Sequence, residues 1–597
     1  MARKKYSCDL ETRTKREDVT PWAYGYMEIG NTSNYRIGND FDEFMRWVEN
    51  THADLYFHNL KFDGSFVINW LMKHGYEFSN EPKPKTFKSV ISKMGTWYMI
   101  DICYGYRGKK KLHTVIYDSL KKLPFPVKKI AEDFKMTILK GDIDYHAERP
   151  IGHEITPHEH MYIKHDIEIV ANALEIQFSQ GLEKMTNGSD SLSGFKDTIS
   201  KRQFEALFPV FSLKMDENIR KAYRGGFTWL NERFANEIIG EGMIFDVNSL
   251  YPSQMYDRDL PFGVPKTFEG EYVFDKIYPL WIQHIRCSFE LKEGYIPTIQ
   301  IKKSHGRFKD NEYLKTSNGE IVDLYVSNVD WEIIKEHYKV EDEEYCNGFK
   351  FQKCNGVFKE FIDYWTHIKV TSTGAIKLLA KLMLNSLYGK FATNPEVTGK
   401  IPYLKDDGSN GFRIPKDKET GEHIKEYKDP IYTPMGIFIT SWARYTTITT
   451  AQKCFDRIIY CDTDSIHLTG TEIPEVIKDV IDDNKLGYWA HESTFKRGKY
   501  IRQKTYINEL YDKKDKNITH LSVKCAGMPS NIKGLIKTRK LKVNNKIKHW
   551  TFANMPSDVV KNLAFKDFKI GFTSEGKLLP KQVNGGVVLI NDRFTIK

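Results

Sequence analysis

The run Arg457-Ile458-Ile459-Tyr460-Cys461-Asp462-Thr463-Asp464-Ser465-Ile466-His467-Leu468-Thr469 sets two acids at i and i+2 between two apolar arms. The arms predict a hairpin, Arg457–Tyr460 against Ser465–Thr469, with the acids at its turn. Paired acids in such a place are commonly plain turn formers. Here Ile458, Ile459, Ile466 and Leu468 predict a buried sheet, and a carboxylate at its edge is costly without a counter-charge. A divalent cation would offset that cost.

Upstream, Gly374–Lys390 lacks Pro and has no internal Gly until its end, and reads as a helix. Lys377, Lys381 and Asn385 recur every fourth residue and Tyr388 follows three later, so all four share one face. Cations with an aromatic at the end suit a nucleotide: Lys on phosphates, Tyr on base or sugar. A solvated amphipathic helix would show the same spacing. Further upstream, Met243–Val247 reads as a strand carrying Asp246, followed by Asn248-Ser249-Leu250-Tyr251-Pro252. Backbone amides in such a turn can donate to a triphosphate, although an ordinary helix start would look alike.

Strand patterns at Tyr6–Thr12, Trp22–Ile29, Asp54–Phe57, Trp97–Ile102 and Val115–Leu120 accompany helical patterns at Phe41–Asn50, Gly64–His74 and His158–Gln180. This predicts an α/β domain over about 180 residues. Period two puts Asp9 and Glu11 on one face of the first strand. Asp63 follows a strand end, and Tyr162 and Asp166 are four apart on a helix. Four carboxylates could hold two cations about 4 Å apart, with Tyr162 orienting an attacking water, the arrangement of two-metal phosphodiester hydrolysis. Thr186–Gly194 is small and polar and reads as a linker. Lys405–Pro430 reads as a surface hairpin or loop.

With 40% hydrophobic residues among 597, the chain can bury a sizeable core and is not disordered as a whole. No apolar run reaches the length of a membrane helix, and the N-terminus lacks an apolar signal region, so neither membrane insertion nor secretion is expected. The net charge of +10 is mild, but it is clustered at Arg107–Lys111, Lys121-Lys122, Lys128-Lys129 and, most strongly, Asn531–His549. A polyanionic partner and a solvated basic face both fit such clusters. The eight cysteines form no Cys-x-x-Cys, which leaves zinc and redox motifs without support and predicts reduced thiols in a cytosolic compartment.

Taken together, Asp9-Leu10-Glu11-Thr12, Asn59-x-x-x-Asp63 and Tyr162-x-x-x-Asp166 resemble the three-part signature of proofreading 3′–5′ exonucleases of the DEDDy type. Asp246-x-x-Ser249-Leu250-Tyr251-Pro252, Lys381-x-x-x-Asn385-Ser-Leu-Tyr388-Gly and Tyr460-x-Asp462-Thr463-Asp464-Ser465 resemble motifs A, B and C of family B DNA polymerases. Ser119–Ile130, Ala222–Leu230 and Tyr488–Arg497 resemble the protein-primed branch found in small Bacillus phages, the phi-29 type.

That resemblance implies a multidomain chain of α/β and α+β class: an RNase H-like 3′–5′ exonuclease domain, then a right-hand polymerase of palm, fingers and thumb with two insertions. The expected boundaries are exonuclease 1–187, palm 188–257 and 434–525, fingers 358–392, and thumb with the C-terminal segment 526–597. The insertions, 258–357 and 393–433, would be the first and second terminal-protein regions. By the same resemblance Asp246, Asp464 and Asp462, with Val247, would hold metal for polymerisation, and Asp9, Glu11, Asp63 and Asp166 for hydrolysis, with Tyr162 and Lys140 catalytic. Val247, Ser249, Leu250, Tyr251, Lys369, Lys377, Lys381, Asn385 and Tyr388 would bind dNTP. His58, Asn59, Phe62, Tyr223, Gly225, Gly226, Lys504 and Tyr506 would bind DNA. Two Mg²⁺ per site are implied, with Mn²⁺ as a substitute. The implied partners are primer-template and single-stranded DNA, dNTPs and a phage terminal protein, for a monomeric, phage-encoded enzyme in the host cytoplasm. It would synthesise processively and displace the strand ahead. Two departures stand out. Leu10 replaces a more usual aromatic. Met528–Ile570 is longer and more basic than the corresponding thumb, either an enlarged duplex-binding surface or an unrelated insertion. A nuclease with a DNA-holding platform and a non-catalytic replication scaffold are the alternatives; primer extension and metal-dependent nucleotide release separate them.

Overall fold

The structure, a computed structural model, describes residues 3–13, 19–144, 147–150, 152–302, 306–538, 542–543, 546–547 and 557–597. Arg539, Lys540 and Lys548 of the basic run therefore lie outside the described residues, as do the side chains of Lys542 and Lys546.

The N-terminal part is an eight-stranded mixed sheet, with strands in the order Asn31–Gly38, Pro21–Glu28, Lys5–Thr12, Asp54–Phe57, Lys110–Asp118, Trp97–Arg107, Thr86–Ile91, Glu77–Phe78. Alternation along Lys5–Thr12 divides the work of its faces. Tyr6, Cys8 and Leu10 join Phe44, Phe57 and Phe66 in one core, under the helices Phe41–Val48 and Leu60–Lys73. Asp9 and Glu11 meet Asp166 of the helix Pro157–Ser179 on the opposite side. That long helix starts where Thr156 and Glu159 form a reciprocal capping box with Pro157 in the first turn.

A second eight-stranded sheet is antiparallel. Gly242–Val247 lies between Ser465–Thr469 and Trp489–Arg502, flanked outward by Thr505–Tyr511 and Thr519–Cys525 on one side and Ile458–Asp462 and Thr228–Leu230 on the other, and the short strand Ile238–Ile239, also paired with Trp489–Arg502, is the eighth. Ile458, Ile459, Ile466 and Leu468 are fully buried, as the hairpin reading requires. The helix Thr433–Lys453 contributes Ala443, Ile448 and Ala451 to this core. Residues 260–354 form a separate four-stranded sheet, in the order Leu260–Glu269, Tyr338–Cys354, Leu280–Leu291, Val322–Ser327.

The C-terminal hairpin, Thr573–Val583 with Gly586–Thr595, reaches back to the N-terminal sheet. Val587 and Val588 belong to the same core as Phe66 and Leu10. Among the described residues no helix is long and apolar enough to cross a membrane, and all eight cysteines are unpaired.

The linker expectation needs correction. Thr186–Gly194 is not a linker: Asn187–Thr198 is a helix, capped by the Thr186 side chain on the Ser189 amide. Its small residues serve close packing, since a Cβ at Gly188 would come within 2.9 Å of the Lys390 side chain and Ser191 bonds to the Met383 carbonyl. Its Asp190 pairs with Lys122, which is buried and so not part of a solvated basic face. Lys405–Pro430 is largely exposed and includes one arm of a hairpin, as read, but that arm is anchored. Asn410, on the hairpin Ile401–Leu404 and Asn410–Arg413, is only 1% exposed. Its amide donates to the Ser65 carbonyl at 2.8 Å and to Gln582 at 3.0 Å, while its oxygen accepts from Asn69 at 3.0 Å. One side chain thus joins the helix Leu60–Lys73, the hairpin and the C-terminal segment.

Element ends also shift. The lysine-bearing helix stops at Ser386 and a short one, Tyr388–Phe391, follows. The helix read from Gly64 begins at Leu60, and the strand read to Leu120 ends at Asp118, where a single turn of tighter helix covers Ser119–Lys121.

Candidate active sites

Asp246 and Asp464 come from segments more than two hundred residues apart and meet through sheet register. Asp246 pairs with Ser465, and the Val247 amide donates to the Asp464 carbonyl at 2.8 Å. Burial first, then the Asp464 charge and that of Glu492, push the Asp246 carboxyl from 3.8 to about 7, while Lys381 and Lys369 pull it down. Asp464 is also raised, chiefly by burial. Both acids line a cavity of about 460 Å³. Lys377, Lys381, Asn385 and Tyr388 line it too, so the predicted stripe faces one space. Val247, Ser249, Leu250 and Tyr251 form the opposite wall with Lys369, whose ammonium donates to Ser249 Oγ at 2.9 Å. Tyr251 and Tyr388 stack face to face at 3.9 Å between centroids, closing one end.

Asp462 is engaged differently. Its carboxylate accepts from Thr228 Oγ1 and Tyr460 OH, both at 3.2 Å, and pairs with Lys504 Nζ at 3.3 Å. The Lys504 amide donates to Tyr460 OH at 2.8 Å, and Tyr506 packs on Tyr460. Tyr223 is half-buried and within electrostatic reach of Tyr251 and Tyr388. The Gly225 carbonyl accepts from Arg444 at 2.8 Å, a guanidinium held by buried Asp330. Gly226 has no room for a side chain: its Cβ would stand 2.6 Å from Thr463 Cγ2, in the turn between the two acids. Gly226→Ala should therefore displace that turn, costing about 1–3 kcal/mol of fold stability, and by shifting Asp462 and Asp464 it should slow primer extension about tenfold, about 1.4 kcal/mol of barrier. An unchanged rate would count against this steric account.

Glu492 was not read from the sequence. It stands at an irregularity where Ile244 pairs with Ser493 and Phe245 with His491, so it is the extra residue of a bulge. It raises both Asp246 and Asp464. A bulge breaks period-two alternation, which is why no pattern announced it. Asp483, Asn484 and Leu486 at the cavity rim carry no such signal either.

The second cluster lies in the N-terminal part. Ligand atoms of Asp9, Glu11 and Asp166 lie within 4.8 Å of one another. Asp63 approaches from the helix Leu60–Lys73 and is raised well above its ordinary value by burial and then by Asp9. Burial and the Asp166 charge lift Asp9 to about 7; Glu11 is raised well above its usual range, chiefly by burial and then by Asp9. Lys140 pairs with Asp166 and lies over the Tyr162 ring at 5.1 Å. Among the described residues Asp166 Oδ1 is buried without a hydrogen-bond partner. An orphaned carboxylate oxygen within a set of mutually repelling acids is the donor set a hard divalent cation takes. His58 is fixed by Ser119 Oγ at 3.0 Å and the Phe125 carbonyl at 2.8 Å. Asn59 is exposed beside it, and Phe62 packs on Phe66.

These raised carboxyls have a consequence for stability. A carboxyl whose folded value exceeds its unfolded one favours the fold when protonated, and that contribution is lost as pH rises through about 7 for Asp9 and Asp246. Metal-free protein should melt lower at about pH 8 than at about pH 5, and added Mn²⁺ should raise Tm more at the higher pH. Equal increments in a thermal melt at both pH values would contradict this.

Residues 44–483 match the family described as DNA polymerase type B, organellar and viral, and the chain belongs to that family. Within it the similarity is to one kind of enzyme. The chain is 62% identical to the DNA polymerase of Bacillus phage phi29 across all of both chains. It matches the structure of phi29 DNA polymerase complexed with primer-template DNA and incoming nucleotide substrates with a TM-score of 0.91, 61% identity and full coverage of both. The same polymerase complexed with single-stranded DNA gives a TM-score of 0.90 at 60% identity, again over both chains in full. The protein is a DNA polymerase of the phi29 type, a DNA-directed nucleotidyltransferase, and its family implies use of a divalent metal.

Proposed function

We propose that the chain both extends and edits DNA, at two separate carboxylate sites. The observation that carries this reading is the pair itself: acids from distant segments converge twice, each time beside lysine. Mg²⁺ held by either set would lower the pKa of the attacking oxygen and stabilise the leaving one.

In the larger site Asp246, Asp464 and the Val247 carbonyl would hold the cations. Lys381, with Lys377 and Lys369, neutralises triphosphate charge, and the turn amides at Ser249 and Leu250 donate to it. Tyr251 packs under the sugar and excludes a 2′-OH, while Asn385 and Tyr388 contact the incoming nucleotide. The primer 3′-oxygen bonds to the α-phosphorus as the bond to the β-phosphate bridge breaks, releasing pyrophosphate. The contacts of Asp462 with Lys504 and Tyr460 support a part in positioning Lys504 and Tyr506 against the primer end. Tyr223, Gly225 and Gly226 would guide the template strand.

In the N-terminal site Asp9, Glu11, Asp63 and Asp166 would hold the cations, and Tyr162 and Lys140 would orient the water. His58, Asn59 and Phe62 hold a frayed 3′ end. The relatives' complexes with primer-template and with single-stranded DNA support both substrates here. The domain limits proposed are those the family resemblance implies, with 258–357 and 393–433 serving the terminal protein that primes synthesis, and the thumb 526–597 serving duplex. The protein works as a monomer in the host cytoplasm.

Rolling-circle synthesis on a primed circle, with and without a DNA trap, tests the polymerase reading. Products many times the circle length despite the trap are expected. Synthesis that stops after one turn would refute strand displacement, and short products only when the trap is present would refute processivity.

A further inference from the structure

Three acids of the N-terminal cage are set by the sheet and by the helix Pro157–Ser179; Asp63 alone comes from the first turn of Leu60–Lys73. That helix starts without a cap of its own. Asn59 turns into it at φ 75° and offers no side-chain hydrogen bond to its amides. The amides of Asn59 and Leu60 instead donate to Oδ1 of Asp118, at 3.1 and 3.3 Å. Asp118 ends the adjacent strand, paired with Phe57, and is 3% exposed. The same oxygen accepts from the Leu120 amide at 3.1 Å, and Oδ2 pairs with Lys121 at 3.1 Å.

One carboxylate therefore fixes the entry of the Asp63 helix and, together with it, the turn Ser119–Lys121. Ser119 in turn holds the His58 ring. The next residue, Lys122, anchors the turn: its ammonium meets Asp190 and the Leu182 carbonyl, and its own carbonyl accepts from Gln177 and Asn187. Asp190 and Asn187 lie on the helix that packs against the lysine-bearing helix of the larger cavity.

We propose that Asp118 is a positioning residue for the nuclease cage. It touches neither cation nor DNA; it sets where Asp63 stands relative to Asp9, and Lys122 ties that setting to the polymerase half. This rests on the nuclease reading above. Partners of metal ligands that act this way change metal affinity or activity by about 10–100-fold when removed. Asp118→Ala removes the acceptor of three amides, of which that of Leu60 is buried. Asp118→Asn keeps an oxygen where Oδ1 is.

The test uses the full chain. Mn²⁺ binding is followed by the paramagnetic resonance of the free ion in a background carrying Asp246→Asn and Asp464→Asn, so that the cage reports. Degradation of single-stranded DNA and primer extension are measured in the otherwise unaltered protein. Asp118→Ala should weaken Mn²⁺ binding and slow degradation about 10–100-fold, Asp118→Asn should recover most of both, and extension should stay within about twofold. Unchanged Mn²⁺ binding in Asp118→Ala, no recovery in Asp118→Asn, or extension falling in step with degradation would each overturn the proposal. If the unaltered protein with Mn²⁺ does not degrade single strands, the nuclease reading falls and takes this one with it. If it does, and Asp118→Ala degrades equally well, only the positioning role falls.

Discussion

Asp464→Asn should reduce primer extension by about three orders of magnitude or more, about 4 kcal/mol of transition-state stabilisation, while single-strand degradation continues at the unaltered rate. The substitution is nearly isosteric, so the backbone link from the Val247 amide to the residue-464 carbonyl persists and the sheet keeps its register. What changes is charge. The cavity loses one of its carboxylates, and Asp246, relieved of that neighbour, moves back toward ordinary carboxyl behaviour. The metal-free variant should accordingly lose less stability than the parent as pH rises. Extension assays, paired with melts in chelator, read both effects. Loss of both enzymatic activities in a folded variant would sink the two-site assignment.

Asp9→Ala combined with Asp63→Ala should do the converse. Degradation of single-stranded DNA should drop by a similar factor, with primer extension retained. These two acids reach the cage from different elements, a strand and a helix start, so removing both strips it from two directions. Removing buried like charges also relieves repulsion with Glu11, which Asp9 helps to raise. The doubly substituted protein should thus melt no lower than the parent without metal, which separates loss of chemistry from loss of fold. Extension that fell as far as degradation would show that the two clusters form a single functional unit.

Part of each candidate site could be read from residue spacing, where regular periods placed it; other residues, Lys140, Lys369 and Tyr223 among them, were named only through the family resemblance. Asp9 and Glu11 share a face because strands alternate; Lys377, Lys381 and Asn385 line one cavity because helices repeat near four. The hairpin around Asp462 and Asp464 followed from its apolar arms. The rest was hidden where periodicity stops or where tertiary contacts decide. Glu492 reaches the acids through a bulge. Thr186–Gly194 has the composition of a linker, yet a cap, the Lys122–Asp190 pair and close helix contact make it helical. Asp118 looked like one more strand residue, because its partners are amides that only the folded chain brings near.

The placement of Val587 and Val588 beside Phe66 and Leu10 bears on how the molecule is made. Translation proceeds from the N-terminus, so the first sheet leaves the ribosome long before the strand that finishes its interior. Until that strand arrives, a greasy patch stays uncovered on the nascent chain. Removal of the hairpin Thr573–Thr595 would leave the patch bare for good, so fragments carrying the N-terminal sheet without it should tend to clump, and completion of that interior has to wait for Val587 and Val588.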